Sequence, residues 1–351
     1  MGQAEGSRGL IDEQRLALWM DQRNLPGAGE PLATRFVSGG ASNEILELRR
    51  GAQRMALRRP PRIVPKGRNE TMLREYRVLR ALRDTDVPHA RALAVCDDPD
   101  EMGACFYLME WVDGWSPMNT DGWPAPFDTD VDARRGLALE LVDAIAALAR
   151  VDWRAVGLEG FGRPEGFLER QVDRWLAHLA SFGFRELPGL DVAADWLRVH
   201  TPKSNTAGII HGDYQFANVM FRHGAPARLA AIVDWEMATV GDPLLDLAWI
   251  LMGWPDPGEG DRVGYVDYGG MPARDALTER YAKHTGLPVH EIDYYVVLAR
   301  FKMACVLEGG YARYVKGGAD NPKMAAFGEV VLDMARRAAE LAQTSRLGAT
   351  G

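Results

Sequence analysis

The stretch from Ile209 to Asp246 constrains this chain more than any other. It reads I-I-H-G-D-Y-Q-F-A-N-V-M-F, then a short basic linker with Gly and Pro, then L-A-A-I-V-D-W-E-M-A-T-V-G-D-P-L-L-D. Short apolar runs bounded by turn formers predict buried strands. Polar groups stand at their ends: Asp213 after Ile209-Ile210, Asn218 before Val219-Met220-Phe221, Asp234 after Ala230-Ala231-Ile232-Val233. A carboxylate at the end of a buried strand is costly unless a cation or a donor meets it. Two acids and an amide make an oxygen-rich set, and hard oxygen ligands suit Mg²⁺, which keeps waters and borrows phosphate oxygens.

Composition narrows the function classes. The chain of 351 residues has room for about two domains. A formal net charge of −8 argues against nucleic acid as the main partner. Cys96, Cys105 and Cys305 have no paired spacing, so neither a disulfide framework nor a zinc site is expected, and a cytoplasmic location is the simple reading. No segment is long and apolar enough to span a bilayer, and the N-terminus has no signal-peptide core. Gly6 stands where a myristoylation motif needs Ser or Thr. No membrane partner is expected, and the oligomeric state is open.

Along the chain, Ile11 to Met20 predicts a short helix that Asn24-Leu25-Pro26-Gly27 breaks. Arg35-Phe36-Val37, then Ser38-Gly39-Gly40-Ala41-Ser42-Asn43, then Glu44 to Leu48 predicts a hairpin. Its small residues suit either an ordinary Gly-rich turn or a backbone cradle for an anion. Gln53 to Arg59 predicts the next strand, and a helix follows from about Asn69, with Leu73, Tyr76, Leu79 and Leu82 on one face. Val87 to Cys96 and Ala104 to Met109 predict two more strands around an acidic turn. The rest is mainly helical: Val131 to Val151, Phe167 to Phe182, Asp242 to Met252, and about 273–285, 290–310 and 323–343. In the second of these helices Gln171, Arg174, Trp175 and His178 fall near one face, which suits substrate contact or a core Trp with exposed polar neighbours.

His211-Gly212-Asp213, with Asn218 five residues after the Asp, resembles the catalytic loop of the protein-kinase-like fold, and Ile-Val-Asp234 resembles its metal-binding strand end. Gly212 and Trp235 depart from the Arg and Phe of protein kinases. With Gly241-Asp242-Pro243 they match the aminoglycoside phosphotransferase family, above all the phosphotransferase domains associated with acyl-CoA dehydrogenases. W-M-D-Q, S-G-G-A-S-N, L-R-R-P-P and L-E-G-G-Y-A-R carry that closer likeness.

The resemblance implies an α+β, bilobal protein-kinase-like fold. A small β-rich N-lobe with one helix, 1–111, would cover the nucleotide. A larger, mostly helical C-lobe, 112–351, would hold the catalytic loop, metal site and substrate pocket. It implies transfer of the γ-phosphoryl group of ATP (or GTP) to a hydroxyl of a metabolite or antibiotic, with Mg²⁺. Asp213 would be catalytic, and Asn218 and Asp234 would hold the metal. Ser38, Gly39, Gly40, Ser42, Asn43, Arg58, Glu75, Met109, Glu110 and Val112 would bind nucleotide, with Arg58 in place of the usual Lys and Glu75 orienting it. His211 and Asp242 would brace the loop; Glu236, Gln171 and Trp175 would lie on the substrate side. The rival readings are a nucleotide-binding protein without phosphotransfer, which Arg58 motivates, and a protein kinase, which Gly212 and the missing activation segment oppose. An aminoglycoside acceptor would need a carboxylate-lined pocket, which net charge alone does not supply.

Overall fold

The computed structural model describes residues 10–39, 43–117, 122–203, 206–255, 259–260, 262–263, 266–318 and 324–347. Helix α1 (Glu13–Gln22) starts at Asp12, whose carboxylate accepts from the Arg15 N–H at 3.0 Å and satisfies one orphan donor. Strands β1 (Leu32–Gly39), β2 (Glu44–Arg50) and β3 (Gln53–Arg59) follow, then α2 (Arg68–Ala81), β4 (Ala92–Cys96), the short α3 (Pro99–Met102) and β5 (Phe106–Glu110). They build one antiparallel sheet in the order β1-β2-β3-β5-β4.

The period of two along each strand sorts the sheet's faces. Leu46 lies opposite Leu57, and Leu57 opposite Leu108. Together with Leu48, Met55 and Phe106 they bury against Leu16, Trp19 and Met20 of α1. Arg58, opposite Tyr107 in register, belongs to the other face and meets Glu75 of α2. Alternation thus delivers a cation to the face that a nucleotide would share. The strand expected from Val87 begins only at Ala92. Before it, the Pro88 carbonyl accepts from Ile232 N–H at 2.9 Å and ties this lobe to the next.

Residues 111–114 connect the sheet to the second lobe, where Trp115 and Phe221 exchange backbone hydrogen bonds of 2.9 and 2.8 Å. Helices α4 (Val131–Ala149), α5 (Gln171–Ala180) and α6 (Leu190–Val199) precede four short strands: β6 (Gly208–Ile210), β7 (Val219–Phe221), β8 (Leu229–Ile232) and β9 (Thr239–Gly241). These pair as β6 with β9 and β7 with β8. Then come α7 (Leu244–Leu251), α8 (Arg274–Thr285), α9 (Ile292–Val315) and α10 (Phe327–Thr344). Helix α9 is buried nearly all round, with Tyr295, Leu298, Phe301 and Lys302 all enclosed, so it forms the axis of the helical lobe. Among the described residues no helix is long and apolar enough to cross a membrane.

Candidate active site

The two strand pairs hold a loop from His211 to Asn218 between β6 and β7. Gly212 has φ +84°, and a Cβ there would stand 2.6 Å from the Met237 carbonyl oxygen. Both facts require glycine, which accounts for the absent Arg. The loop's backbone is fixed from α7: Asp246 accepts from the His211 N–H at 2.7 Å and the Gly212 N–H at 2.9 Å. Burial pushes the Asp246 carboxyl up, while these donors, His211 and Lys302 oppose the shift. His211 lies fully inside, with Nδ1 accepting from the Asp213 N–H at 3.3 Å and Nε2 facing the Val233 carbonyl at 2.9 Å. Acceptance at Nδ1 assigns the ring hydrogen to Nε2, which then donates to Val233.

Three donors orient the Asp213 carboxylate. Gln215 Nε2 and Trp249 Nε1 donate to Oδ1 at 2.9 and 2.7 Å, and Asn218 Nδ2 donates to Oδ2 at 2.8 Å. Asn218 Nδ2 also reaches the Asp213 carbonyl at 2.8 Å, so its amide oxygen faces elsewhere. The Val233 N–H donates to the Asn218 carbonyl at 2.9 Å, which ties the loop to the strand end carrying Asp234. Asp234 itself has φ +65° and ψ +62°, a left-handed conformation uncommon outside glycine.

Asp234 Oδ1 meets Arg58 Nη2 at 2.6 Å, and Arg58 Nε meets Glu75 Oε2 at 2.9 Å. Tyr107 donates to Glu75 Oε2 at 2.9 Å. Burial pushes the Glu75 carboxyl up to about 7, with Arg58 pulling the other way. The Arg58 guanidinium is held firmly charged despite its burial, by Tyr107, Glu75 and Asp234. The residues present fit a magnesium ion with few protein ligands. The Asn218 amide oxygen and the second Asp234 oxygen are hard donors, and among the described residues no group of three or more His, Cys, Asp and Glu side chains forms a full cage. Such a site takes its remaining oxygens from phosphate and water.

Ser38 and Gly39 end β1, where the pairing with β2 slips after Phe36. Gly40 and Ser42 lie outside the described residues. Asn43 Nδ2 approaches Glu236 Oε2 at 3.4 Å, which links the Gly-rich turn to the second lobe. Met109 lies opposite Ala56, and Glu110 opposite Met55. The Val112 N–H has no hydrogen-bond partner among the described residues. Trp111 stacks under Arg54, whose guanidinium carbon is 4.0 Å from the ring centroid and which also pairs with Asp113 at 2.8 Å.

On the other side of the loop a cavity of about 450 Å³ is walled by Ile210, Gly212 and Met237 and by residues of α2, α5 and α9. Its size is that of a small-molecule site. Gln171, Trp175 and Glu236 all line it. The Gln171 amide is consumed internally: Nε2 donates to the Phe167 carbonyl at 2.9 Å and Oε1 accepts from Trp175 Nε1 at 3.2 Å. Glu236 pairs with Arg68 at 2.7 Å.

One expectation is corrected by this geometry. Asp242 does not brace the catalytic loop. It accepts from Tyr295 Oη at 2.8 Å and from the Leu244 N–H at 3.0 Å, and burial pushes it up to about 6. Asp246, one helical turn on, points at the loop instead. Three residues escaped the sequence reading: Asp246, Trp249 and Lys302. Lys302 Nζ donates to the Gly212 carbonyl at 2.7 Å and sits 4.2 Å from the Trp249 ring centroid. Asp246 carried a signal, a lone acid in the apolar run of α7. Trp249 and Lys302 lie in helices where nothing local separates them from core residues.

The comparisons agree with this architecture. The model of the phosphotransferase enzyme family matches residues 33–281. Acyl-CoA dehydrogenase family member 11 of Gallus gallus is 30% identical over 336 residues, covering 92% of this chain and 42% of that protein. The chain thus spans about two-fifths of the curated relative. A crystal structure from Ralstonia eutropha, assigned as an aminoglycoside phosphotransferase, is 30% identical with a TM-score of 0.81, covering 95% of this chain and 98% of that one. Aminoglycoside phosphotransferase APH(4)-Ia, in a thermostable mutant form in ternary complex with ADP and hygromycin B, shares the fold at a TM-score of 0.60 and 12% identity, covering 93% and 98%. The fold is the bilobal protein-kinase-like one, and with its model matched from the first sheet strand into α8 the chain belongs to the phosphotransferase enzyme family.

Proposed function

We propose that the protein transfers the γ-phosphoryl group of ATP (or GTP) to a hydroxyl of a small molecule. The observation that carries this reading is the Asp213 carboxylate, held by Gln215, Trp249 and Asn218 one residue from the wall of a ligand-sized cavity. Asp213 accepts the acceptor's hydroxyl proton as its oxygen forms a bond to the γ-phosphorus. The bond from that phosphorus to the bridging oxygen breaks, and the nucleoside diphosphate leaves. Phosphoryl transfer passes through a loose transition state, so positioning and charge neutralisation dominate over covalent chemistry. Arg58, fixed by Glu75, meets the non-transferred phosphates, and the Val112 N–H is free to meet the base. Asn218 and Asp234 would hold Mg²⁺, which would neutralise charge building on the phosphate oxygens.

Net charge and the lack of an activation segment favour a small acceptor over nucleic acid or protein. Three buried, free cysteines suit a reducing compartment such as the cytoplasm. The test is nucleoside diphosphate release with Mg²⁺ and ATP across a library of hydroxylated metabolites. Release that depends on one acceptor class supports the reading. Tight nucleotide binding with no release for any acceptor leaves a binding module in its place.

A further inference from the structure

The cavity beside the catalytic loop is lined by five cations: Arg74 from α2, Arg163 from the turn before α5, Arg170 and Arg174 at the start of α5, and Lys302 from α9. Among the described residues none of the five forms an ion pair. Arg74 donates to the Phe161 and Ala238 carbonyls at 3.1 and 3.3 Å, and Arg170 to the Arg163 carbonyl at 2.6 Å and the Glu165 carbonyl. Lys302 donates to the Gly212 carbonyl. Among the described residues the Arg174 guanidinium rests only near the Trp175 ring, at 5.1 Å from its centroid, and the Arg163 guanidinium has no hydrogen-bond partner. Among the described lining residues the single carboxylate, Glu236, is already matched by Arg68.

Clustering like charges around one cavity costs energy, more so where water is thin. Lys302 shows that cost most sharply, being only 6% exposed. Elsewhere in the chain arginines find acids: Arg185 with Glu308, Arg280 with Asp143, Arg134 with Asp267. Arg163 and Arg174, which form no ion pair among the described residues, are left open to an anionic ligand in a ligand-sized cavity. Arg side chains with free planar forks suit carboxylate and phosphate oxygens.

We propose that the acceptor is a small hydroxylated anion, carrying carboxylate or phosphate groups that Arg163, Arg174 and their cationic neighbours hold while its hydroxyl faces the catalytic loop. A polyamine such as an aminoglycoside, cationic at neutral pH, meets five cations there against one carboxylate, Glu236, among the described lining residues. The inference rests on the phosphotransferase reading for its reaction, and on the cavity alone for its charge.

The experiment separates the two. The full chain, saturated with Mg²⁺ and AMP-PNP, is titrated calorimetrically with inorganic phosphate and with citrate. Saturable binding of at least one anion, weakened about tenfold or more in the R163A/R174A double variant, is the expected result. Both arginines are exposed and carry no structural ion pair, so the double variant keeps its fold. No anion binding to the wild type, or binding unchanged in the variant, overturns the proposal. The two anions separate a phosphate from a carboxylate preference. In a parallel turnover assay, release stimulated by an aminoglycoside or a neutral polyol, and by no hydroxylated anion, also overturns it. Failure of AMP-PNP to bind would sink the kinase reading instead, and the same anion titration without nucleotide would still report on the cavity.

Discussion

On the proposed nucleotide side of the cleft, Arg58 stands between two acids, Glu75 at 2.9 Å and Asp234 at 2.6 Å. On the proposed acceptor side, Arg163 and Arg174 reach none among the described residues, and Lys302 donates to a backbone carbonyl. The first side settles its ion pairing within the chain. The second defers it. A ligand common to a whole family can be met by a fixed ion-paired frame, while the partner that differs between relatives is met by groups left open for it. In this chain the fixed half is anchored to sheet and strand ends, and the open half to α2, α5, α9 and the turn before α5.

The comparison breaks most easily at the residue between the two halves. Asp213→Asn should fold normally yet lose on the order of 10²–10⁴ in turnover, the usual weight of a general base. Turnover equal to wild type would remove Asp213 from the reaction and leave the two halves without a shared centre. Gly212→Ala should cost roughly 1–3 kcal/mol of stability through left-handed strain, since its Cβ would press on the Met237 carbonyl. A thermal melt indistinguishable from wild type would mean that the loop is not fixed as described.

Two smaller effects sharpen the contrast. Glu75→Gln should raise the nucleotide KM by roughly tenfold, about 1.4 kcal/mol, with the acceptor KM unmoved, because it loosens Arg58 alone. An equal rise in both would show that the halves are not separately wired. Lys302 titrates on the acceptor side, where burial lowers its pKa to about 8 while Asp213 and Asp246 pull upward and Arg174 pushes down. It is charged below that value and loses its proton above it. For an anionic acceptor the KM should rise by a factor of a few above pH 8, and Lys302→Arg, which stays charged, should flatten the rise. The stability term has the opposite sign. The unfolded chain holds this proton up to the ordinary lysine value, so stability gains as pH climbs past 8.

How much was legible in the sequence follows the same division. Asp213, Asn218 and Asp234 are flanked by short apolar runs, so the strands β6, β7 and β8 beside them could be read. Arg58 was legible only through the family resemblance, as the stand-in for the usual Lys; alternation along β3 sends it to the face opposite the α1 core. The bracing acid was misread by one helical turn. Asp242 lies just before α7 and Asp246 in its first turn, and only the packing of α9, with Tyr295 taking Asp242, decides which one turns to the loop. Strand β9 and helix α6 were missed. The first is three residues long and exists through its pairing with β6, and the second lies in a segment left unassigned. The cationic cavity was least legible of all. Of its five cations only Arg174 stood out, as part of one helix face, and they reach the cavity from four places along the chain.

We propose that Asn218 and Asp234 bind a magnesium-loaded nucleotide opposite Asp213. This binding is tested most directly by calorimetric titration of ATP into wild type and Asp234→Ala, each with and without Mg²⁺. Wild-type affinity should strengthen markedly with Mg²⁺, and the variant should lose this gain. Equal affinity for ATP with and without Mg²⁺ in the wild type, or a gain that survives in Asp234→Ala, would contradict it.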